Sequence, residues 1–256
     1  MDQSAVQAPV QAEVSEDLLL GGRLRLRQPV AGYRAGVDAA LLAATCDAKP
    51  GQRVLEAGCG VGAALLAAAA RRPGASFTGV ERDPAALALA MQNIALNDLA
   101  EAVTAIGADV AGGFRALALP AFEAVMSNPP FFDDAGALRG PHPAREGAYL
   151  ATDGVAVWIE FMLKAVREGG SLTLIHRADR LGDILALLAL KAGSIRIRPV
   201  QPFVDQPAKR VLVRAVKTGK APLVLLPALI LHDRSEAKHT PAAEAILRGE
   251  AALDWT

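Results

Sequence analysis

Val54-Leu55-Glu56-Ala57-Gly58-Cys59-Gly60-Val61-Gly62 decides the fold of this chain. Gln52–Ala57 is short and apolar, the pattern of a buried strand. Three glycines follow at alternate positions. Then comes a run of Ala and Leu that ends at Arg71-Arg72 and is stopped by Pro73-Gly74. Basic residues in a last turn with Pro beyond it are helix-end signals. Glycines between strand and helix let backbone approach a ligand closely, and the N–H groups that open the helix point the same way.

The same alternation continues outward. Ser76–Val80 reads as a second strand ending at Glu81, and Asp83-Pro84 caps a helix running to Asn97-Asp98. Ala102–Ile106 is a third strand, closing with Gly107-Ala108-Asp109. Phe122–Met126 is the fourth and leads into Ser127-Asn128-Pro129-Pro130-Phe131. Thr152–Arg167 is a helix stopped by Gly169-Gly170, Ser171–His176 a strand, and Ala178–Lys191 a helix. Ser194–Gln201 and Arg210–Val216 are strands joined by a Pro-containing loop, hence antiparallel neighbours. After them come a short hairpin, Leu223–Leu231, and a helix from Thr240-Pro241 to Arg248. The expected class is α/β: a seven-stranded, mostly parallel, doubly wound (Rossmann-like) sheet with an antiparallel terminal hairpin.

Toward the N-terminus, residues 1–16 are polar and aperiodic, and are expected to be a disordered tail. Leu18–Leu26 alternates about Gly21-Gly22 as a hairpin would. Arg23, Arg25 and Arg27 would share its open face, with no acid between Gly21 and Arg34. That face suits a nucleic-acid backbone or plain solvent. A loop from Gln28 enters a helix, Ala39–Ala44, with Asp38 either its N-cap or a ligand contact. The expected divisions are the tail 1–16, a hairpin and helix 17–50, a main domain 51–217 and an extension 218–256.

Composition narrows the class. Of 256 residues, 52% are hydrophobic and 4% aromatic, enough for a large core of helices on a sheet. Formal net charge is zero, so no global field announces a polyanion. Residues 51–135 hold nine acids against five arginines, and residues 191–220 hold eight bases against Asp205 alone. The first stretch tolerates a cationic cofactor; the second could meet phosphates or be a solvated face. Cys46 and Cys59 are the only cysteines, so neither a disulfide framework nor a metal site is expected. The first twenty residues carry no base, unlike a signal peptide. The longest apolar run, Ala63–Ala70, is too short to span a bilayer. A cytoplasmic protein is expected, with a monomer as the default.

The Asn-Pro-Pro-Phe stretch carries the chemistry. Two prolines remove two N–H donors and fix two φ angles. What remains is a stiff loop of free carbonyls, one amide side chain and an aromatic face, suited to a flat group bearing an amine. Asn-Pro is also a common turn signal. Its place at a strand's carboxyl end, where open α/β sheets bind ligands, favours a site. Glu81 lies about 20 residues beyond the glycine loop, the spacing at which a carboxylate takes a ribose hydroxyl pair. Asp109 could accept from an adenine amino group or cap a helix. Gly58-x-Gly60-x-x-Ala63 also fits a dinucleotide pattern. Glu56, however, would repel a pyrophosphate, whereas it would face the amino end of a methionine. The long stretch Phe132–Leu150 offers Arg139, His142 and Arg145 for substrate contact.

Taken in order, Val54–Gly62, Gly79-Val80-Glu81, Asp109 and Asn128-Pro129-Pro130-Phe131 resemble the motifs of class I S-adenosylmethionine-dependent methyltransferases. The last is similar to the motif of enzymes that methylate planar amines. Gly32-Tyr33-Arg34-Ala35-Gly36-Val37-Asp38-Ala39-Ala40-Leu41-Leu42, Pro143-Ala144-Arg145 and the C-terminal end resemble, more closely, the tRNA1(Val) adenine-37 N6-methyltransferases. The resemblance covers about residues 17–250. It implies cofactor contacts from Tyr33, Asp38, Glu56, Gly58, Cys59, Gly60, Gly62, Glu81, Arg82, Asp109, Val110 and Asn128. It implies catalysis by Asn128, Pro129 and Phe131, and substrate contacts from Pro130, Phe132, Arg139, His142 and Arg145. The implied cofactor is S-adenosylmethionine and the implied partner RNA, with tRNA the expected class. Glu56 stands where Asp is more usual, and Phe131 where Tyr is common, which excludes any hydroxyl there. Rival readings are a guanine-N2 or protein-glutamine methyltransferase, a catalytically silent RNA-binding scaffold, and a nicotinamide oxidoreductase.

Overall fold

A computed structural model describes residues 13–31, 34–131, 152–234 and 237–256. Tyr33, Phe132, Arg139, His142 and Arg145 lie outside these residues, as does most of the expected tail.

A two-stranded antiparallel hairpin comes first: β1 (Val14–Leu19) and β2 (Leu24–Pro29), turning through Leu20–Gly22. The pairing of Val14 with Pro29 brings the last residues of the expected tail into this hairpin. Arg25 and Arg27 both pair with Glu16, at 2.7 and 3.5 Å. Arg23 holds the carbonyls of Leu20 and Arg248. The basic face read from β2 alone is therefore balanced by an acid across the hairpin.

Helix α1 (Val37–Ala44) leads to β3 (Arg53–Ala57), α2 (Ala63–Arg71), β4 (Ser76–Glu81), α3 (Pro84–Leu96), β5 (Val103–Gly107) and β6 (Phe122–Ser127). Beyond residue 151 follow α4 (Thr152–Ala165), β7 (Val166–Arg177), α5 (Leu181–Leu188), β8 (Ala192–Gln201) and β9 (Arg210–Lys217). Two short segments, β10 (Val224–Leu225) and β11 (Leu229–Ile230), precede α6 (Pro241–Leu247). The main sheet runs β10-β8-β9-β7-β6-β3-β4-β5, with β11 also on β8. Strands β3 to β7 are parallel, and β9 is antiparallel to both β7 and β8.

Strand side chains alternate between two apolar layers, as the pleat requires. Val54, Ile175 and Leu212 face the layer holding α1, α2 and α6; Leu55, Leu174 and Val213 face the layer holding α4 and α5. That is the doubly wound arrangement.

Three expectations need correction. Leu223–Leu231 is not a hairpin: β10 and β11 both run parallel to β8 and do not pair with each other. Pro227 lies between them and has no N–H to continue a ladder. The Thr152–Arg167 helix stops at Ala165, because Val166 pairs with Phe122 of β6. The basic stretch 191–220 is not one patch. Antiparallel pairing sends Arg210 to one end of the sheet, beside Arg177, and Lys217 to the other, beside Ala192. Several of its members also have partners inside the fold: Arg214 holds Asp47, Lys217 holds Glu168 and the Val166 carbonyl, and Arg198 holds the Pro227 and Asp254 carbonyls.

The C-terminal extension is woven into the first layer. Trp255 donates to the Thr45 carbonyl at 3.1 Å, the Leu253 N–H donates to Ala44 at 3.0 Å, and Arg71 reaches the carbonyls of Ile246 and Ala251.

Candidate active site

The carboxyl ends of four parallel strands form the site. Ala57 of β3 is in register with Val80 of β4 and Ser127 of β6, and Glu81 with Gly107 of β5. Adjacent strands lie about 4.8 Å apart, so the glycine loop, Glu81, Gly107–Asp109 and Asn128 emerge side by side.

The glycine loop is held from several directions. The N–H groups of Gly58 and Cys59 donate to the Val80 carbonyl at 2.8 and 3.0 Å, and Asn93 donates to the Val61 carbonyl at 2.9 Å. Gly58 has φ +69°, and a Cβ there would lie 2.4 Å from the Trp158 ring of α4. Both facts demand glycine. Around Gly60 a Cβ would meet nothing within 4 Å, so this side of the loop is open. Glu81 accepts from the Gly60 N–H through Oε2 and from the Asp83 N–H through Oε1, both at 2.8 Å. Each oxygen keeps a lone pair for a further donor. Asp83 in turn caps α3, accepting from the Ala85 N–H.

Glu56 is 2% exposed, and its Oε2 has no hydrogen-bond partner among the described residues. Burial pushes its carboxyl well above the usual range; the Leu65 N–H opposes this and the nearby Glu81 adds to it. A bare buried carboxyl oxygen beside an open glycine loop fits the ammonium group of S-adenosylmethionine. Cys59 does not offer its side chain: Sγ packs under β4, where a Cβ on Gly79 would come within 2.6 Å of it. Burial, with Glu56 and Glu81 nearby, pushes that thiol well up.

An open groove of ≈ 550 Å³ lies beyond Glu81, lined by Arg82, Asp83, Pro84, Leu87, Gly107, Ala108 and Asp109. Asp109 caps the short turn Val110–Gly112 by accepting from the Ala111 N–H at 2.9 Å, and Arg82 stands 3.7 Å from its other oxygen. Of its two expected roles, the capping one is present in the geometry. Val110 is buried beneath this turn.

On the acceptor side, buried Ser127 donates to the Ala57 carbonyl at 2.9 Å and fastens β6 to β3 just before the Asn-Pro-Pro-Phe loop. Asn128 and Pro130 are half-buried and Pro129 is buried. The Phe131 ring meets His176 edge-on, with centroids 5.1 Å apart at 83°. The Arg210 guanidinium lies over the same ring, 4.5 Å from its centroid. Arg210 also donates to Asp38 at 3.0 Å. Asp38 is therefore not the cap of α1. Extended Gly36 holds that position, and Asp38 sits inside the first turn, free to reach across to β9. His176 is 2% exposed, and neither ring nitrogen has a hydrogen-bond partner among the described residues. Burial lowers its pKa to about 4, so it is neutral at neutral pH.

Trp158, His176 and Arg210 were not expected at the site. His176 lies at the close of a strand that the sequence reveals, at the end where open α/β sheets bind ligands. Trp158 carries no local signal, since only packing brings its helix under the glycine loop. Among the described residues, no group of three or more His, Cys, Asp and Glu could hold a metal ion, and no helix is long and apolar enough to cross a membrane.

Known proteins resemble this chain in sequence and fold. A family model of the methyltransferase small domain matches residues 34–139. The tRNA1(Val) (adenine(37)-N6)-methyltransferase of Yersinia pestis (strain Pestoides F) is 30% identical over 203 residues, 73% of this chain and 80% of the relative. This chain belongs to that methyltransferase family. As a member of the tRNA1(Val) (adenine(37)-N6)-methyltransferase family it is an S-adenosylmethionine-dependent methyltransferase. A release factor glutamine methyltransferase of Gloeobacter violaceus is 32% identical over 166 residues; the match spans 62% of this chain but 57% of that relative. In structure, a predicted O-methyltransferase of Agrobacterium tumefaciens superposes with a TM-score of 0.70 at 28% identity, covering 85% of this chain and 98% of that one.

Proposed function

We propose that this protein transfers the methyl group of S-adenosylmethionine to N6 of an adenine in tRNA, in the cytoplasm. The observation that carries the reading is the Asn128–Phe131 loop, fastened by Ser127 beside the glycine loop on the neighbouring strand. The Yersinia relative, whose name states this reaction, supports the choice of acceptor.

When bound, the cofactor supplies an electrophilic methyl carbon on a positive sulfur that leaves readily. Glu56 would hold its amino end, Glu81 its ribose hydroxyls, and the groove at Asp109 its adenine. The glycine loop receives it closely because Gly60 carries no side chain. Adenine N6 is a poor nucleophile, since its lone pair is delocalised into the ring. The Asn128 side-chain oxygen and the Pro129 carbonyl accept its two N–H bonds, shifting electron density onto nitrogen and aiming the lone pair. Fixed acceptors also stabilise the charge that develops there. Alignment supplies most of the acceleration. The proton leaves after attack, when the amine is strongly acidic, so no tuned base is needed; His176, neutral and buried, is not asked to be one. Phe131 stacks on a base taken out of its loop, the common way RNA bases are read.

The test is incubation of purified protein with radiolabelled S-adenosylmethionine and tRNA from cells lacking the enzyme, followed by nucleoside analysis. Label in N6-methyladenosine is expected. Label in N2-methylguanosine, or only in a release factor glutamine, would overturn the choice of acceptor.

A further inference from the structure

We propose that Arg210 is a positioning residue for methyl transfer, setting the Asn128–Phe131 loop against α1 through the face of Phe131. The inference rests on the functional reading above and adds a residue to it.

Three contacts converge on this side chain. Its Nε donates to Asp38 of α1 at 3.0 Å, its Nη1 donates to the Lys209 carbonyl at 3.2 Å, and its Cζ stands 4.5 Å from the Phe131 centroid. The ion pair is about one-third exposed at Arg210 and less at Asp38, so solvent screens it only in part. The separation from the ring is well inside the range of a cation–π contact. Register explains the meeting. Ser127 pairs with Leu174 on β7, and Arg177 pairs with Arg210 on β9, so the loop after β6, His176 and Arg210 lie in successive rows at one end of the sheet. His176 closes on Phe131 from another direction.

The consequence is geometric. Phe131 ends the loop whose amide and carbonyl receive N6, and two prolines make that loop turn as a unit. A ring fixed by Arg210 fixes the loop. A ring released lets the acceptors drift, and displacement by about 1 Å can cost on the order of a hundredfold in rate. A guanidinium holds Asp38, the Lys209 carbonyl and the ring through one rigid fork, whereas lysine, a flexible point charge, does not reproduce the three contacts together.

Arg210→Lys is therefore the decisive variant. We expect kcat to fall about tenfold, with KM for tRNA and cofactor affinity within about twofold of the parent. Combined with Phe131→Leu, the loss should be no greater than that of the worse single variant, because one substitution acts through the other. A 4-fluorophenylalanine at position 131 should shift its 19F resonance on Arg210→Lys with no substrate present. Thermal melting of Arg210→Lys within a few degrees of the parent excludes a folding defect. Unchanged kcat in Arg210→Lys, together with a salt-dependent rise of KM in Arg210→Gln, would make Arg210 a phosphate contact and overturn the proposal. Additive losses in the double variant would do the same. If the parent methylates no adenine, the functional reading fails, and the 19F shift and the kcat comparison on the true acceptor still decide Arg210.

Discussion

Burial favours the uncharged form of two side chains at the site, Glu56 and His176, with opposite consequences along the pH axis. The folded-state pKa of Glu56 is raised, so its ionisation opposes folding as pH climbs past the unfolded value of about 4.5. Glu56→Gln should leave the ligand-free protein no different near pH 4 and more stable than the parent at pH 7, read by thermal melting. The same variant should bind S-adenosylmethionine more weakly, by roughly tenfold or more, for want of a charged partner to the ammonium. His176 is depressed from 6.5 to about 4. Its contribution is complete above pH 6.5 and drains away as pH falls toward 4, by at most about 3 kcal/mol. His176→Phe should flatten the acid side of a melting curve measured from pH 4 to 7. Asn128→Ala should abolish transfer while leaving cofactor affinity within a few-fold, which equilibrium dialysis and a methylation assay would separate.

Elements meet at this site through a few buried contacts that a strand-and-helix reading does not contain. The glycine turn after β3 was plain from its spacing, yet the reason Gly58 cannot carry a methyl group is Trp158, 100 residues further on in α4. Gly58→Ala combines a left-handed φ with a Cβ inside that ring, and should cost on the order of 3 kcal/mol and weaken cofactor binding. Chemical denaturation and cofactor titration would show it. Strands and helices of the main sheet were legible because apolar alternation and glycine or proline stops are local signals. The run Leu223–Leu231 misled because two short apolar pieces around Pro227 look like a hairpin, while pairing with β8 is decided at a distance. Of the two readings of Asp38, the cap fails for a similar reason: a carboxylate near a helix start suggests one, and only the return of β9 shows Arg210 as its partner.

Across the whole molecule, the extension after β9 acts as a clamp on the layer of α1 and α2. Leu253 and Trp255 are buried, 6% and 7% exposed, and two hydrogen bonds tie them to the end of α1. Deleting residues 252–256 should cost about 3–5 kcal/mol, which for a chain of this size lowers Tm by about 10 °C. Saturating S-adenosylmethionine should raise Tm of the intact protein, and a hundredfold excess over Kd is worth about 2.7 kcal/mol. An unchanged Tm would count against the cofactor site as drawn.

Asn93 carries a liability of a different kind. Wholly buried in α3, it accepts from the Arg27 N–H and donates to the carbonyls of Arg27 and Val61, joining hairpin, helix and glycine loop through one amide. Among side chains, only an amide presents two N–H donors and a carbonyl acceptor together. Slow hydrolysis to aspartate, the ordinary chemistry of ageing amides, would turn those donors into a carboxylate facing two carbonyl oxygens. A protein so altered would keep its mass to within one unit and its sequence in all but one atom, and lose the fastening of its glycine loop.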